Sequence, residues 1–510
     1  MVAKKSPAIA AAAAAVTAVA LLTACTGGSA PPSESKTTLT VALQEVAAAN
    51  FDPALGSDTM SFQLSAVYDT LLRQDSTGEL FPNLATEWGY DSPTELSMSL
   101  RDDVTFADGS PLDAAAVVAN LEAVKNGGGP YSGSFAAITT AEVVDDTTVR
   151  VVLEEPNPTF FSLLTTPAGM VANPAAIDAG TLSTKPDGSG PYTLTSSAPG
   201  QSYQYEKRDD YWNSEHYPLQ KIVLNVFTET QAKLNALQTG QADITEYSPD
   251  ATIQPLLESG ELELAAAPYN TNMLLLLDRG GEQVPALADV RVRQAINFAI
   301  DRDAIATIGG GGDDARTPTA QLPKPGQAGF REDLNDLYPH DVEAAKRLLT
   351  EAGYADGFSL PMVSISYFDQ QAQALAGSLA EIGITLEITN VPIGQYVSSI
   401  TSGEFASAYF ANLIADPYAD IARLTLPDGA YNPFGVSSPE LEEAYGAADL
   451  ATSADELDAA MAEVNRIVVE EAWLAPFLFD RLGYAHTPSL QGIAFETVRP
   501  ATYYDWSFGS

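Results

Sequence analysis

The sequence predicts an α/β fold built from more than one lobe. Short strand patterns alternate with amphipathic helix patterns along the chain, and no internal repeat is visible. Apolar residues make up 45% of the 510 residues, which is typical of globular proteins. A single hydrophobic core rarely grows beyond about 250–300 residues. The chain is therefore expected to fold around several cores.

Charge and cysteine content exclude several classes of function. The chain has 25 Lys and Arg against 67 Asp and Glu, a formal net charge of −42. Binding to nucleic acid or to anionic lipid requires basic surfaces, so both are disfavoured. A single cysteine, Cys25, excludes an intramolecular disulfide and a thiolate metal cluster. The three histidines (His216, His340 and His486) are far apart, and we expect no cofactor and no metal site.

The N-terminus has the pattern of a secretory signal. Two lysines precede an Ala-rich apolar run over residues 8–24, which is shorter than the roughly 20 residues of a membrane-spanning helix. Residues 22–25 (LTAC) resemble a bacterial lipobox, which implies that residues 1–24 are a signal peptide and that Cys25 carries lipid. Residues 25–37 are rich in Gly, Ser and Pro and are expected to form a flexible tether. Lipid on Cys25 is then the only expected membrane attachment, and the protein is expected outside the cytoplasm at the cell membrane.

The individual elements follow from periodicity and capping residues. Alternating or apolar runs predict strands, and capping residues at Asp113, Asp289, Asp341 and Ser438 mark helix starts. Ser453 and Glu456 have the spacing of a capping box. The apolar stripes of these helices are expected to face the core. The predicted strands are 38–43, 96–101, 148–153, 192–196, 222–226 and 273–277, and the predicted helices are 114–125, 231–237, 290–300 and 342–352, with two more beginning at 438 and 453.

Five segments in order resemble the bacterial extracellular solute-binding proteins of family 5, the dipeptide-, oligopeptide- and nickel-binding partners of ABC importers. The resemblance covers roughly residues 38–500. Its motifs are YDTLLRQD and PNLATEW (68–75 and 82–88), LRDDVTFADGSPLDAAAVV (100–118), GSGPYTLTSSAPGQSYQYEKRDDYW (188–212), DVRVRQAINFAIDRDAI (289–305) and DVEAAKRLLTEAGYADG (341–357).

The resemblance implies a two-lobed periplasmic-binding-protein-like fold with an extra subdomain, of the dipeptide/oligopeptide-binding type. It also implies a non-enzymatic monomer that works with ABC permease and ATPase subunits. The expected division is lobe I at 38–60, 187–272 and 488–510, an appended subdomain at 61–186, and lobe II at 273–487.

Most motif residues are expected to be scaffold rather than site. Arg291 and Arg293 precede Asp301 and Asp303 in the helical segment of the motif at 289–305. Charges that flank helices usually pair or face water, so an ion-pair network within the lobe is the expected role of these four residues.

Candidate ligand-binding residues lie near the expected crossings between lobes, at about 270–276 and 485–492. A binding protein needs a cleft with convergent polar and aromatic side chains. For each aromatic residue, packing in the core is the alternative. The candidates are Phe51, Asp52, Tyr247, Asn270, Asn272, Tyr367, Phe368, Phe410, Asn412 and Asp416.

One stretch departs from the family pattern. Peptide-binding members carry a Trp early in the segment that corresponds to residues 409–418, and an aspartate four residues before its proline. Here the proline is Pro417, the residue four before it is Leu413, and no Trp is present. Asp416 either replaces the missing charge or is the turn residue that precedes the proline.

The expected function is capture of a peptide or peptide-like solute for an ABC importer. Alternatives in the same family are a sugar or a metal chelate as ligand, and a sensory role is also compatible. An alternative of another class is a secreted glycosidase-like hydrolase, although 67 acidic residues make chance carboxylate pairs common. The sequence contains no GxSxG, HExxH or cysteine-nucleophile motif.

Overall fold

The computed structural model describes residues 36–44, 50–75, 77–247, 253–308, 316–413, 416–494 and 503–509. The predicted signal peptide, Cys25 and most of the predicted tether lie outside these residues, as does the side chain of Asn412.

Strands and helices alternate along these residues, as the sequence predicts for an α/β protein. The strands are β1 (Thr38–Gln44), β2 (Leu72–Gln74), β3 (Leu80–Pro82), β4 (Ala85–Ser92), β5 (Glu95–Leu100), β6 (Ile138–Asp145), β7 (Thr148–Leu153), β8 (Tyr192–Ala198), β9 (Ser202–Lys207), β10 (Lys221–Phe227), β11 (Ile244–Tyr247), β12 (Glu263–Leu276), β13 (Arg316–Pro318), β14 (Phe358–Ser364), β15 (Ile384–Asn390), β16 (Ser407–Leu413), β17 (Leu474–His486), β18 (Leu490–Gln491) and β19 (Ser507–Phe508). The helices are α1 (Ser61–Leu64), α2 (Ala114–Gly127), α3 (Ser132–Ala136), α4 (Phe160–Leu163), α5 (Pro174–Asp178), α6 (Thr230–Gln238), α7 (Gln254–Glu258), α8 (Val290–Ala299), α9 (Arg302–Ala306), α10 (Glu332–Asn335), α11 (Val342–Glu351), α12 (Asp369–Ala380), α13 (Ile393–Thr401), α14 (Pro417–Thr425), α15 (Pro439–Asp449) and α16 (Ala454–Glu470).

One large mixed sheet runs through the molecule. Its strand order is β15-β14-β16-β12-β17-β11-β1-β10-β9-β8, with β13 paired to β17. A separate four-stranded antiparallel sheet has the order β4-β5-β7-β6 and packs against α2. We refer to these as the main sheet and the small sheet.

The long strands β12 and β17 connect the two ends of the main sheet. Their antiparallel pairing joins residues 263–268 to 481–486, and residues 270–275 to 474–480. The first part of this ribbon pairs with β11 through β17. The second part pairs with β16 through β12 and with β13 through β17. Two register shifts, between Pro268 and Asn270 and between Asn272 and Met273, lie at the change of neighbours.

The apolar residues form several separate cores, as the chain length predicts. One core lies around β1, β8–β10 and the C-terminal residues, and a second lies between the small sheet and α2. Two others cover opposite faces of β12 and β16, because successive strand residues point to opposite faces. Leu274 and Leu276 belong to one of these cores, whereas Met273 and Leu275 belong to the other.

Arg208 joins two of the motifs that carry the resemblance. Its buried guanidinium donates hydrogen bonds to the carbonyl oxygens of all three residues in 188–190, at 3.3–3.4 Å. It also donates to the carbonyls of Thr105 and Phe106, at 3.1 and 3.0 Å. Both motifs therefore stabilise the junction between the small sheet and the main sheet, which is a scaffold role.

Asp69 connects a third motif to the same junction. Its buried carboxylate accepts hydrogen bonds from the Tyr211 hydroxyl at 2.7 Å and from the Trp212 indole at 3.2 Å. Burial raises the pKa of Asp69 to about 6, although these hydrogen bonds oppose the rise. Nearby, Gly190 allows close approach, because a Cβ there would lie 2.4 Å from the carbonyl carbon of Val67.

Local structure agrees with the sequence where it depends on neighbouring residues, and differs where it depends on distant ones. Asp113, Asp289 and Asp341 cap their helices as predicted. Ser453 caps α16, but the Glu456 carboxylate accepts the N–H of Thr452, one residue before the position of a standard capping box.

The predicted partners of two arginines were wrong. Arg291 pairs with Asp289 at 2.6 Å, within its own first helical turn. Arg293 donates to the backbone carbonyl of Glu471 at 2.9 Å and approaches its carboxylate at 3.4 Å. Arg293 thus holds helix α8 to the end of α16, and neither arginine pairs with Asp301 or Asp303 among the described residues.

Candidate functional site

A cleft of about 710 Å³ opens between two distant parts of the chain. One wall comes from residues 74, 77–80, 88–90, 158–159 and 161–162, around the small sheet. The other comes from residues 326–328 and from the N-terminal ends of α14 and α16. We call it the acidic cleft. Its acidic and aromatic lining side chains are Glu79, Trp88, Tyr90, Phe161, Asp416, Tyr418, Asp455 and Asp458, and Thr159 also lines it.

The two walls of the acidic cleft approach each other at two points. The Thr159 hydroxyl donates a hydrogen bond to the Asp416 carboxylate at 2.5 Å. Gly326, with φ at +89°, packs against Thr77, and a Cβ on Gly326 would lie 2.5 Å from the Thr77 Cβ. Glycine is therefore required at 326 both by its backbone conformation and by close contact.

Asp416 has two roles in this arrangement. It is the N-cap of α14, where its carboxylate accepts the backbone N–H of Tyr418 at 3.1 Å. The same carboxylate accepts the hydrogen bond from Thr159 across the cleft. Burial raises the pKa of Asp416, and the Thr159 hydrogen bond lowers it in part. Asp416 thus starts helix α14 and also borders the cavity, and its replacement of the missing charge stays a prediction.

Polar residues of the β12–β17 ribbon form a compact network. The Asn272 amide donates to the Asp480 carboxylate at 2.7 Å and accepts the Tyr409 hydroxyl at 3.0 Å. Arg316 also pairs with Asp480, at 3.0 Å. Asn272 is buried, whereas Asn270 on the same strand is partly exposed. The network fixes side chains at the place where the ribbon changes neighbours.

The remaining candidates near β16 lie on both faces of the sheet. Phe368 stacks on Tyr409, with ring centroids 4.4 Å apart, on the face that carries Asn272. Phe410 packs against Tyr431 in the core of the opposite face. Tyr367 is 80% exposed. The structure therefore brings Asn272 and Phe368 together at Tyr409 and places Phe410 on the other side. Asn412 pairs with Thr271 through the backbone register, with its side chain outside the described residues.

The candidates from the first part of the chain lie elsewhere. Phe51 is buried and packs edge-to-face on Tyr203. Asp52 caps a short 3₁₀ helix and lines a separate cavity of about 140 Å³. Tyr247 is buried in an apolar cluster below β1 and β11. None of these three lines the acidic cleft as the described residues define it.

Sequence reasoning did not identify several side chains of the acidic cleft. Trp88 and Tyr90 follow each other at a two-residue interval on β4, so they share one face of the small sheet. Trp88 belongs to the motif at 82–88, and most residues of these motifs are expected to be scaffold. Thr159 carries no sequence signal of its own, and only the fold brings it to Asp416.

Two kinds of feature are absent from the described residues. No helix among them combines the length and the apolar character needed to cross a membrane. Within the same ranges, no group of three or more His, Cys, Asp or Glu side chains is arranged to hold a metal ion.

Comparison with known proteins assigns the family. The model for "bacterial extracellular solute-binding proteins, family 5 middle" matches residues 79–432. The glutathione-binding protein GsiB of Salmonella paratyphi A is 28% identical over 465 residues, covering 86% of this chain and 89% of its own.

Solved structures show the same fold. The periplasmic murein tripeptide binding protein MppA, in its unliganded open form, matches with a TM-score of 0.82 and 21% identity, covering 93% of this chain and 97% of its own. The binding protein DppA from Helicobacter pylori, in complex with the peptide STSA, matches with a TM-score of 0.68 and 21% identity, covering 93% and 98%. The predicted two-lobed α/β fold class is thereby confirmed, and the chain belongs to the bacterial extracellular solute-binding proteins of family 5.

Proposed function

We propose that this chain captures a peptide or peptide-like solute outside the cytoplasm and delivers it to the permease of an ABC importer with its ATPase subunits. The observation that carries the proposal is the β12–β17 ribbon, the pair of strands that joins the two ends of the main sheet. Family membership and relatives named for glutathione and for peptides support the ligand class.

The proposed division of the chain is lobe I at 38–60, 187–272 and 488–510, a subdomain at 61–186, and lobe II at 273–487. In this arrangement the ribbon contains the two crossings between the lobes. Main-chain hydrogen bonds hold an extended peptide without strong dependence on its side chains. The lobes close around it, and the ligand shifts the open–closed balance only by its preference for the closed state.

The protein acts in this proposal as a monomeric binding protein without catalytic activity. Phe51, Asp52, Tyr247, Asn270, Asn272, Tyr367, Phe368, Phe410, Asn412 and Asp416 remain the candidate ligand contacts. Of these, Asp416 has the strongest support, because its carboxylate borders a cavity of ligand size.

Native mass spectrometry and calorimetry test the ligand class. Protein purified gently from its host is expected to retain a peptide-sized ligand, and calorimetry of the emptied protein with a mixture of short peptides is expected to show binding. Binding of sugars without binding of any peptide would overturn the ligand class while leaving a transport role intact. Turnover of a bound compound would overturn the non-enzymatic role.

The membrane attachment is a separate proposal, that Cys25 carries lipid and is the anchor. It is supported by the LTAC sequence at 22–25 behind an apolar run. Cys25→Ser is expected to release the chain into the medium, because lipid chains supply the membrane affinity. Retention of the Cys25→Ser protein at the membrane would contradict this proposal. Size-exclusion chromatography of the released chain measures its oligomeric state, with a monomer expected.

A further inference from the structure

The acidic cleft has the size of a ligand site and is formed by distant parts of the chain. Its volume of about 710 Å³ lies within the roughly 300–1,000 Å³ that ligand pockets occupy. Its walls approach each other at Thr159 and Asp416, and again at Thr77 and Gly326. The space between these contacts is large enough for a long side chain of a bound ligand.

Carboxylates dominate the charge of the acidic cleft. Its lining includes Glu79, Asp416, Asp455 and Asp458, of which Asp458 is paired with Arg331 at 2.9 Å. The described lining contains no Lys, Arg or His side chain. The N-termini of α14 and α16 add only about half a positive charge each. Asp416 accepts hydrogen bonds from Thr159 and Tyr418, but the charges of Glu79 and Asp455 exceed the helix contribution, so the cleft attracts cations.

Two of these carboxylates are free to bind a ligand. Glu79 and Asp455 are exposed, and neither side chain has a hydrogen bond or an ion pair to another described residue. They come from opposite walls, Glu79 beside β3 and Asp455 from the first turn of α16. A cationic ligand that enters the cleft therefore meets a carboxylate on each wall.

Aromatic rings supply the second kind of contact. Trp88, Tyr90, Phe161 and Tyr418 line the acidic cleft. Rings of this type attract cations over their faces, and tryptophan does so most strongly. Trp212 elsewhere in the molecule already has the guanidinium of Arg101 over its ring at 3.4 Å. Among the described residues no Lys or Arg occupies the ring of Trp88 in this way.

We propose that the acidic cleft is a subsite for a cationic side chain of the captured peptide, a lysine or an arginine. This inference rests on the proposed peptide function and specifies its substrate class. An ammonium or guanidinium group donates N–H hydrogen bonds, which carboxylates accept, so these groups fit the lining better than a quaternary ammonium does. The net charge of −42 also favours the approach of a cationic peptide.

Calorimetry with matched peptides tests the subsite. Tripeptides of alanine carry lysine or its uncharged analogue norleucine at each position in turn. At one position the wild-type protein is expected to bind the lysine peptide at least about tenfold more tightly at low salt, with the preference falling as salt rises. Glu79→Gln combined with Asp455→Asn is expected to reduce that preference about fivefold or more, since exposed ion pairs contribute modestly.

A matched variant and a local optical signal serve as controls. Glu87→Gln removes an exposed carboxylate of β4 that lies outside the cleft lining, and it is expected to leave the preference unchanged. Binding of the lysine peptide is expected to change tryptophan fluorescence, and Trp88→Phe is expected to remove most of that change. Both controls separate a role in the subsite from a general loss of charge or fold.

The outcomes distinguish this inference from the proposed function. Equal binding of lysine and norleucine peptides, or a preference that survives in the double variant, refutes the subsite and leaves peptide capture intact. If no peptide binds but arginine amide binds to the wild type and not to the double variant, peptide capture is refuted and the cationic subsite is supported. Absence of binding to all of these compounds overturns both.

Discussion

Asp69 is expected to make the stability of the protein depend on pH in a defined direction. The perturbation is Asp69→Asn, which removes the titrating carboxyl but keeps its size. In the fold this carboxylate is buried and accepts hydrogen bonds from Tyr211 and Trp212. Its pKa is raised to about 6 because burial disfavours the charged form.

The sign follows from comparing the folded and unfolded chains. An unfolded aspartate titrates near 3.9. Between about pH 4 and pH 6 the folded protein therefore retains a proton that the unfolded chain has lost, and the free energy of unfolding falls as pH rises. A shift of about two units at about 1.4 kcal/mol per unit gives a loss of roughly 3 kcal/mol by pH 7. The Asp69→Asn protein has no carboxyl group at this position, so its free energy of unfolding does not include this decrease.

Urea unfolding, followed by tryptophan fluorescence at a series of pH values, measures the effect. The quantity of interest is the free energy of unfolding of Asp69→Asn minus that of the wild type, since 67 acidic residues contribute to either curve alone. This difference is expected to rise by about 2 kcal/mol from pH 4 to pH 7, because an unfolded aspartate is already half ionised near pH 4. Asp102→Asn, at an exposed position, controls for the loss of one surface charge. A difference that stays constant across this range would refute the reasoning that burial governs the Asp69 proton.

Three further substitutions test other contacts. Gly190→Ala is expected to lower the melting temperature, because a Cβ would lie 2.4 Å from the Val67 carbonyl carbon and overpacking costs about 1–3 kcal/mol. The control for thermal unfolding is Gly89→Ala, because no atom lies within 4 Å of a Cβ at residue 89. Arg302 is buried, and its guanidinium donates hydrogen bonds to the backbone carbonyl oxygens of residues 297, 319, 338 and 476. Arg302→Met leaves these oxygens without that donor and is expected to lower the free energy of unfolding in urea by about 3 kcal/mol or more. An unchanged value would contradict this. Asp416→Asn is expected to keep the helix cap, because Asn caps as well as Asp. In calorimetry, the substitution is expected to weaken the binding of an amine-bearing peptide by roughly 1.5–3 kcal/mol. An N-acylated analogue is expected to bind both forms alike.

Local sequence was sufficient to predict elements whose signals lie within one turn or one strand. Aspartate and serine caps located the starts of α2, α8, α11 and α16, because capping depends on a residue and the next three. The long strand β12 was predicted only at its apolar end, 273–277. Residues 264–270 are half-buried, and Pro268, Asn270 and Asn272 interrupt the continuous apolar pattern of a buried strand.

Long-range contacts are the part that sequence did not predict. Arg293 meets Glu471 and Thr159 meets Asp416, and nothing in the neighbouring sequence specifies such partners. The surroundings of the aromatic candidates were likewise not predictable from neighbouring residues. A tyrosine at a strand end has the same pattern whether it faces a core, as Tyr247 does, or a cavity. The family motifs therefore predicted the fold, whereas the lining of the acidic cleft required the tertiary structure.

The β12–β17 ribbon limits how the molecule can deform. β12 and β17 are neighbouring strands in one hydrogen-bonded ladder, so relative motion of the two ends of the main sheet involves bending and twisting of this ribbon. The register shifts at Pro268 and Met273 interrupt the ladder and concentrate that bending locally. A ribbon that stays paired while the two ends of the main sheet approach each other loses little chain entropy. The heat of ligand binding should therefore reflect contacts with the ligand more than ordering of the protein.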